Sequence, residues 1–240
     1  MAFESIIKHA KPLMRQMLES VYSYNSRFLL NEQQEKQLEK ILFSMLVIDR
    51  KFFYQGENAY DDTALAIGEG QTISQPSTIA RMLILADLYE GDDVLEIGTG
   101  SGYNASLIAF LACPGNVVSV ERFLSLKEKA ETNLRNLRNH LKQTNPEIFE
   151  KLSKINFYAE NIFEKGKAYK KKYAKIIITA GIENGEEKKI ENLAKELLKQ
   201  KGILLCPYQS GPLLIFKKKG KEIIISKTKE EYVFVPLLEK

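Results

Sequence analysis

From residue 77 to the C-terminus the hydrophobic period of this chain keeps switching. Stretches with apolar residues at helical spacing alternate with short, nearly continuous apolar runs. The spacing predicts helices over 77–88, 103–111, 124–141 and 187–199. It predicts strands over 93–97, Val117–Glu121, Ile155–Ala159, 175–179, 202–207, 213–218, Glu222–Lys227 and 232–235. Strands apolar throughout need cover on both faces, and strands joined through helices run parallel. The expected fold is therefore α/β: a doubly wound, mostly parallel, seven-stranded sheet of Rossmann-like type. Lys219-Gly220-Lys221 is expected to turn an antiparallel C-terminal hairpin.

Upstream of the alternation, residues 1–53 read as an N-terminal helical extension packed on the core. Leu38, Ile41, Leu42, Met45 and Ile48 share one helical face there, and Asn31 is placed as an N-cap. Residues 54–240 form the main domain, and the two regions are expected to make one structural unit. Residues 54–76, rich in Gly, Asp, Thr, Ser and Gln, read as an ordered loop of the kind that carries function. Residues 139–154 are longer than an ordinary helix-to-strand link and are expected to bulge at the surface. A chain of 240 residues, 44% hydrophobic and 28% charged, suits one domain with a large core. The formal charge of +4 is too small to argue for nucleic acid. The two cysteines, Cys113 and Cys206, have no CxxC or Cys/His spacing, so neither a disulfide framework nor a metal site is expected. The cysteine usage suits a reduced cytoplasm, the lack of an apolar leader or long apolar run argues against secretion and membrane contact, and a monomer is expected.

The densest chemical signal is Val94–Tyr103, VLEIGTGSGY. An apolar strand reaches Glu96, and Gly98, Gly100 and Gly102 follow before a helix. Glycines at the carboxyl end of a strand let backbone approach a ligand. A dinucleotide fingerprint needs another glycine where this chain has Tyr103. Glu96 would also repel a pyrophosphate and favour a ligand carrying an ammonium group. The next strand ends in Glu121, an acid suited to both hydroxyls of a ribose, and the one after is followed by Glu160 and Asn161, candidates for an adenine amino group. A plain glycine turn with surface acids is the competing reading; strand, glycines, helix and second acid falling in order weigh against it.

These motifs resemble one family, the protein-L-isoaspartate (D-aspartate) O-methyltransferases. The resemblance runs from Ile48-Asp49-Arg50 and Phe53 to the C-terminus. Ala59-Tyr60-Asp61-Asp62 resembles the AYxD element and Ile67–Pro76, IGEGQTISQP, the IGxGQTISQP signature. Val233-Phe234-Val235-Pro236-Leu237 is similar to the closing V-P-L segment. The resemblance implies an S-adenosylmethionine-dependent methyltransferase that esterifies the free carboxylate of L-isoaspartyl residues in damaged proteins and peptides, leaving S-adenosylhomocysteine. It implies a catalytic role for Ser74 and cofactor roles for Glu96, Gly98, Gly100, Gly102, Tyr103, Glu121 and Asn161. Substrate contacts are implied for Asp62, Ile67, Gln71, Thr72 and Val235. The competing view of Ser74 is a loop hydroxyl bonded to its own backbone.

Two departures stand out. Asn161 replaces the usual Asp, and Thr179-Ala180-Gly181-Ile182-Glu183 replaces a TAAAP-type loop, which puts substrate identity rather than cofactor binding in question. Three other functions compete with isoaspartyl repair. The first is methylation of a carboxylate in a dedicated protein. The second is nucleic-acid methylation, suggested by the basic runs 165–175 and 217–221. After the fourth strand, however, Thr179-Ala180-Gly181-Ile182 stands in place of an Asn/Asp-Pro-Pro-aromatic element, and lysine runs are ordinarily solvated, so no nucleic-acid partner is expected. The third is a binding module that has lost turnover, against which the intact GQTISQP segment speaks.

Overall fold

The computed structural model describes residues 2–164 and 166–238. Three helices, α1 (Phe3–Lys8), α2 (Pro12–Asn25) and α3 (Glu32–Val47), lead to a small hairpin of β1 (Leu65–Gly68) and β2 (Gln71–Ile73). Then come α4 (Pro76–Ala86), β3 (Val94–Ile97), α5 (Tyr103–Ala112), β4 (Val117–Glu121), α6 (Leu124–Thr144), α7 (Pro146–Lys151) and β5 (Ile155–Ala159). The chain continues through β6 (Tyr173–Ile178), α8 (Glu187–Leu197), β7 (Leu198–Pro207), β8 (Ser210–Gly211), β9 (Leu213–Lys219), β10 (Glu222–Lys227) and β11 (Tyr232–Val233).

Seven strands form one sheet in the order β10-β9-β7-β6-β3-β4-β5. Every neighbour pair is parallel except those of β9, which runs antiparallel to both β7 and β10. The chain leaves β3 toward one edge through β4 and β5, then returns to place β6 on the other side of β3. That reversal opens a crevice at the carboxyl ends of β3 and β6, where open α/β sheets bind ligands. Alternation along the strands divides the core. Val94, Val117, Ile177 and Leu205 pack with the N-terminal helices, α4, α5 and α6, whereas Leu95, Val118, Ile176 and Leu204 pack with α8.

The N-terminal helices belong to the first of these cores: Ile6, Met17, Leu18, Val21, Leu38 and Leu42 are all within 1% of full burial there. Asn31 caps α3, its Oδ1 accepting the Gln34 N–H at 3.0 Å, and Gln34 Oε1 accepts the Leu30 N–H at 2.8 Å in return.

Residues 139–154 do not bulge as expected. α6 continues to Thr144, and Asn145 Oδ1 accepts the Ile148 N–H to start α7, which turns Ile148 and Leu152 into the core. The loop 54–76 is part hairpin, closed by Gly68, Glu69 and Gly70, all at positive φ. β7 begins at Leu198, four residues before the predicted 202, because Leu198 is itself buried and pairs with Tyr173. The last strand is shorter than 232–235: β11 pairs only with β8, outside the main sheet.

Part of the basic sequence holds the fold together. Lys171 and Lys199 reach Asp93 at 3.6 and 2.8 Å, and Lys218 Nζ donates to Leu198 O at 2.8 Å. Lys165 lies outside the described residues. Among the described residues no helix is long and apolar enough to cross a membrane, and no group of three metal-binding side chains converges.

Candidate active site

The loop after β3 is shaped by what a side chain would hit. Gly98 sits at φ +100°, and a Cβ there would lie 2.3 Å from Thr179 Oγ1. Thr179 Oγ1 donates to Gly98 O at 2.7 Å, tying the ends of β3 and β6 together beside the crevice. Gly102 starts α5 at φ +86°, with Ala130 of α6 only 3.1 Å from where its Cβ would be. Both positions demand glycine, for conformation and for close approach.

A cavity opens above this loop. Its walls come from the carboxyl ends of four parallel strands: Gly98 and Gly100, then Glu121 to Phe123, then Asn161 and Ile162, then Thr179 and Ala180. Gln71 to Ser74 and Val235 to Leu238 close its remaining sides. A second cavity of about 460 Å³ lies beyond Thr72, Ser74, Thr179 and Val235, which line both. Its outer wall includes Tyr24 of α2, Ser210 and Tyr232; the Tyr24 and Tyr232 hydroxyls are 3.3 Å apart. Ser74 thus stands in the partition between two chambers.

Glu121 is fixed by two backbone donors: Gly100 N–H at 2.8 Å on Oε2 and Phe123 N–H at 3.1 Å on Oε1. Each carboxylate oxygen keeps capacity to accept from a ligand hydroxyl. Asn161 Oδ1 accepts the Phe163 N–H at 3.0 Å, and Asn161 borders the cavity. Glu160 also borders it, but its carboxylate folds back to accept the Lys167 and Ala168 N–H groups at 2.9 and 3.3 Å.

Glu96 departs from its expected role as a direct ligand for an ammonium group. It is fully buried and lines neither cavity. Asn104 Nδ2 donates to its Oε1 at 2.9 Å and Ser119 donates to its Oε2. Ser119 Oγ lies 2.5 Å from Thr99 Oγ1, so a hydroxyl chain links Glu96 to the cavity wall. Burial pushes the Glu96 carboxyl up to about 8; the charge of Glu121 raises it further, while the Ser119 and Asn104 hydrogen bonds oppose the shift.

Three other expected ligand residues turn away. Tyr103 borders the cavity only at the start of α5; its ring is 1% exposed and packs 5.3 Å from Phe53, with the Arg50 guanidinium over it. Asp62 caps α4, accepting the Ser77 N–H at 2.8 Å and its hydroxyl at 2.5 Å, and lines neither cavity. The free amides at the first turn of a helix attract a carboxylate. Ile67 is a core residue beneath Gly100, and its Cδ1 would meet a Cβ there at 3.3 Å. Gln71, Thr72, Ser74 and Val235 do converge on the cavities. Thr99, Phe123, Thr179 and Tyr24 were missed. Thr99, Phe123 and Thr179 lie in or beside quoted motifs and could have been found; nothing in the sequence marks Tyr24.

A glycine cradle at the switch point, an acid ending the second strand and an amide after the third suit an adenosyl amino acid, and the sheet is that of the S-adenosylmethionine-dependent methyltransferases. Within that class, the sequence profile of "Protein-L-isoaspartate(D-aspartate) O-methyltransferase (PCMT)" matches residues 23–240. The chain belongs to this family. It is 34% identical to a protein-L-isoaspartate O-methyltransferase of Ignicoccus hospitalis, over 84% of this chain and 90% of that one. It is 37% identical to the Methanococcus aeolicus protein of the same name, over 82% and 85%. A crystal structure from Plasmodium falciparum, of a putative protein-L-isoaspartate O-methyltransferase with S-adenosyl-L-homocysteine, has the same fold. The TM-score is 0.71, covering 94% of this chain and 98% of that one at 23% identity. The family profile begins upstream of Ile48, where the motif resemblance was placed, and so takes in Tyr24.

Proposed function

We propose that this protein transfers the methyl group of S-adenosylmethionine to the free α-carboxylate of L-isoaspartyl residues in peptides and proteins. The observation that carries the reading is Ser74 in the partition between two chambers, one suited to the cofactor and one open to an acceptor. When bound, the cofactor supplies a methyl group made electrophilic by its sulfonium. Glu121 would accept from the ribose hydroxyls and Asn161 would serve the adenine amino group, while the backbone at Gly98 and Gly100 would allow close approach. Asn104, anchored on Glu96, is the cavity-lining group nearest the role first given to that acid.

The nucleophile needs no base, because a carboxylate is already ionised at neutral pH. Neither His9 nor His140 lines either chamber. The work left to the protein is placement: nucleophile and methyl in line at about 3–3.5 Å. Ser74 donates a hydrogen bond that aims the acceptor carboxylate at the methyl group, beside Thr72, Thr179 and Val235, which line both chambers. The ester then collapses to a succinimide by attack of the following peptide nitrogen, releasing methanol. The partners are isoaspartate-containing polypeptides, and the protein acts as a cytoplasmic monomer.

Incubating an isoaspartyl peptide with S-adenosylmethionine and following it by mass spectrometry tests this reading. The expected sequence is a methyl ester, then loss of methanol to the succinimide. A stable ester, or a methyl on nitrogen, would refute it.

A further inference from the structure

A third concavity lies far from this chemistry, along the open edge of the main sheet. It is a groove of about 570 Å³ between α6 and β5. Arg135, Arg138 and Lys142 of α6 line one side, and Phe149 and Phe157 line it as well. Among the described residues none of these three cations has a carboxylate in ion-pair range. The acid beside them, Glu131, is taken by Lys127 at 2.6 Å. Arg138 lies 4.5 Å over the Phe149 ring, and its buried Nε has no acceptor. That packing fixes the guanidinium at the groove wall instead of leaving it to range through solvent.

The other side of the groove is backbone. Among the described residues β5 pairs only with β4. The Val117 N–H donates to Lys154 O and the Glu160 N–H to Glu121 O, which fixes the alternation of the ladder. Even-numbered residues of β5 face β4, so Ile155, Phe157 and Ala159 turn their N–H and C=O groups outward. An open strand edge is a template for another extended polypeptide.

We infer that this groove docks an extended, acidic polypeptide segment, which pairs its backbone with the edge of β5 and sets its carboxylates on Arg135, Arg138 and Lys142. The spacing suits it. Arg135 to Lys142 spans about 10 Å of helix, and same-face side chains of an extended strand repeat every ~7 Å, so two alternating acids reach all three cations. The strand edge selects a polypeptide over a nucleic acid, which has no amide ladder to offer. The inference rests on the groove alone and stands apart from the carboxyl-methylation reading.

The test is fluorescence anisotropy with a short labelled peptide of alternating Glu and Val on the full chain. Competitors and controls are the Lys/Val counterpart, the same acidic peptide N-methylated at alternate amides, an oligouridylate and inorganic phosphate. The acidic peptide is expected to bind and to weaken as salt rises, with no binding of the Lys peptide. Arg135→Glu combined with Lys142→Glu, both exposed positions, should weaken it about tenfold, and N-methylation should weaken it at least as much. Unchanged circular dichroism and unchanged S-adenosylhomocysteine affinity in the double variant would establish that the fold is intact. The inference is overturned if the acidic peptide does not bind, or if its binding ignores charge reversal or N-methylation. It is equally overturned if oligouridylate binds more tightly, or if phosphate displaces the peptide at matching concentration.

Discussion

Glu96, one residue short of the end of β3, and Glu121, the last residue of β4, lie on neighbouring strands, yet their surroundings give them opposite tasks. Glu121 is held ready by two amides at the cavity wall, and Glu121→Ala should weaken S-adenosylhomocysteine binding by about 1.5–3 kcal/mol, the range for hydrogen bonds to a charged group. Calorimetry checks this; unchanged affinity would remove Glu121 from the ribose site. Glu96 is buried, with its pKa raised to about 8 from 4.5. A carboxyl raised in the folded state contributes stability below its unfolded pKa and loses it as pH climbs through the folded one. Stability from this group should therefore fall between about pH 4.5 and 8, by up to ~1.4 kcal/mol per pH unit. Glu96→Gln should flatten that slope in urea titrations across the window, and an equal slope in both proteins would show that Glu96 stays ionised. Ser74→Ala should lower turnover at saturating cofactor by about a hundredfold, the usual cost of a misplaced nucleophile, and leave cofactor affinity within a few-fold. Full activity in this variant would exclude the serine. Gly181, the departure that put substrate identity in question, lines neither chamber. Its Cβ would lie 2.5 Å from Gln209 N, and its N–H and C=O bond Val235 O and Leu237 N–H at 2.7 Å each. Glycine there admits the Tyr208–Gln209 backbone and does not line the second chamber.

At the scale of elements, sequence patterns carried the sheet and faltered in between. Val117–Glu121, Ile155–Ala159 and Glu222–Lys227 fall where the apolar pattern put them, because the fully buried β4, the β-rich run of the edge strand β5 and a glycine-turned hairpin leave clear local signals. α7 was hidden because Ile148 is its one buried residue, within a largely polar stretch. The β1–β2 hairpin was hidden by its glycines and short strands. Motif position placed Ser74, Gln71, Thr72 and Val235 at the site, but it could not tell which way a neighbouring side chain turns. Asp62 and Ile67 sit in the same motifs and serve the scaffold. Asp62→Ala should cost about 1 kcal/mol of stability as the loss of a helix cap, read as a lowered urea midpoint, with peptide KM unchanged. A KM rise at unchanged stability would return Asp62 to the substrate.

For the whole molecule, the N-terminal helices do more than pad the fold. They share a core with the sheet, and α2 brings Tyr24 to the second chamber, whose lining draws on residues from both ends of the chain. Tyr24 was not legible because its role depends on tertiary packing against Tyr232, more than two hundred residues away. The central claim is that this assembled chamber admits an isoaspartyl carboxylate. Two peptides of identical sequence, one with L-isoaspartate and one with L-aspartate at the same position, isolate it, because they differ only by one methylene moved between side chain and main chain. The decisive measurement is kcat/KM for tritiated-methyl transfer to each. The isoaspartyl peptide should be strongly preferred; equal rates, or methylation of the aspartyl peptide alone, would overturn the assignment.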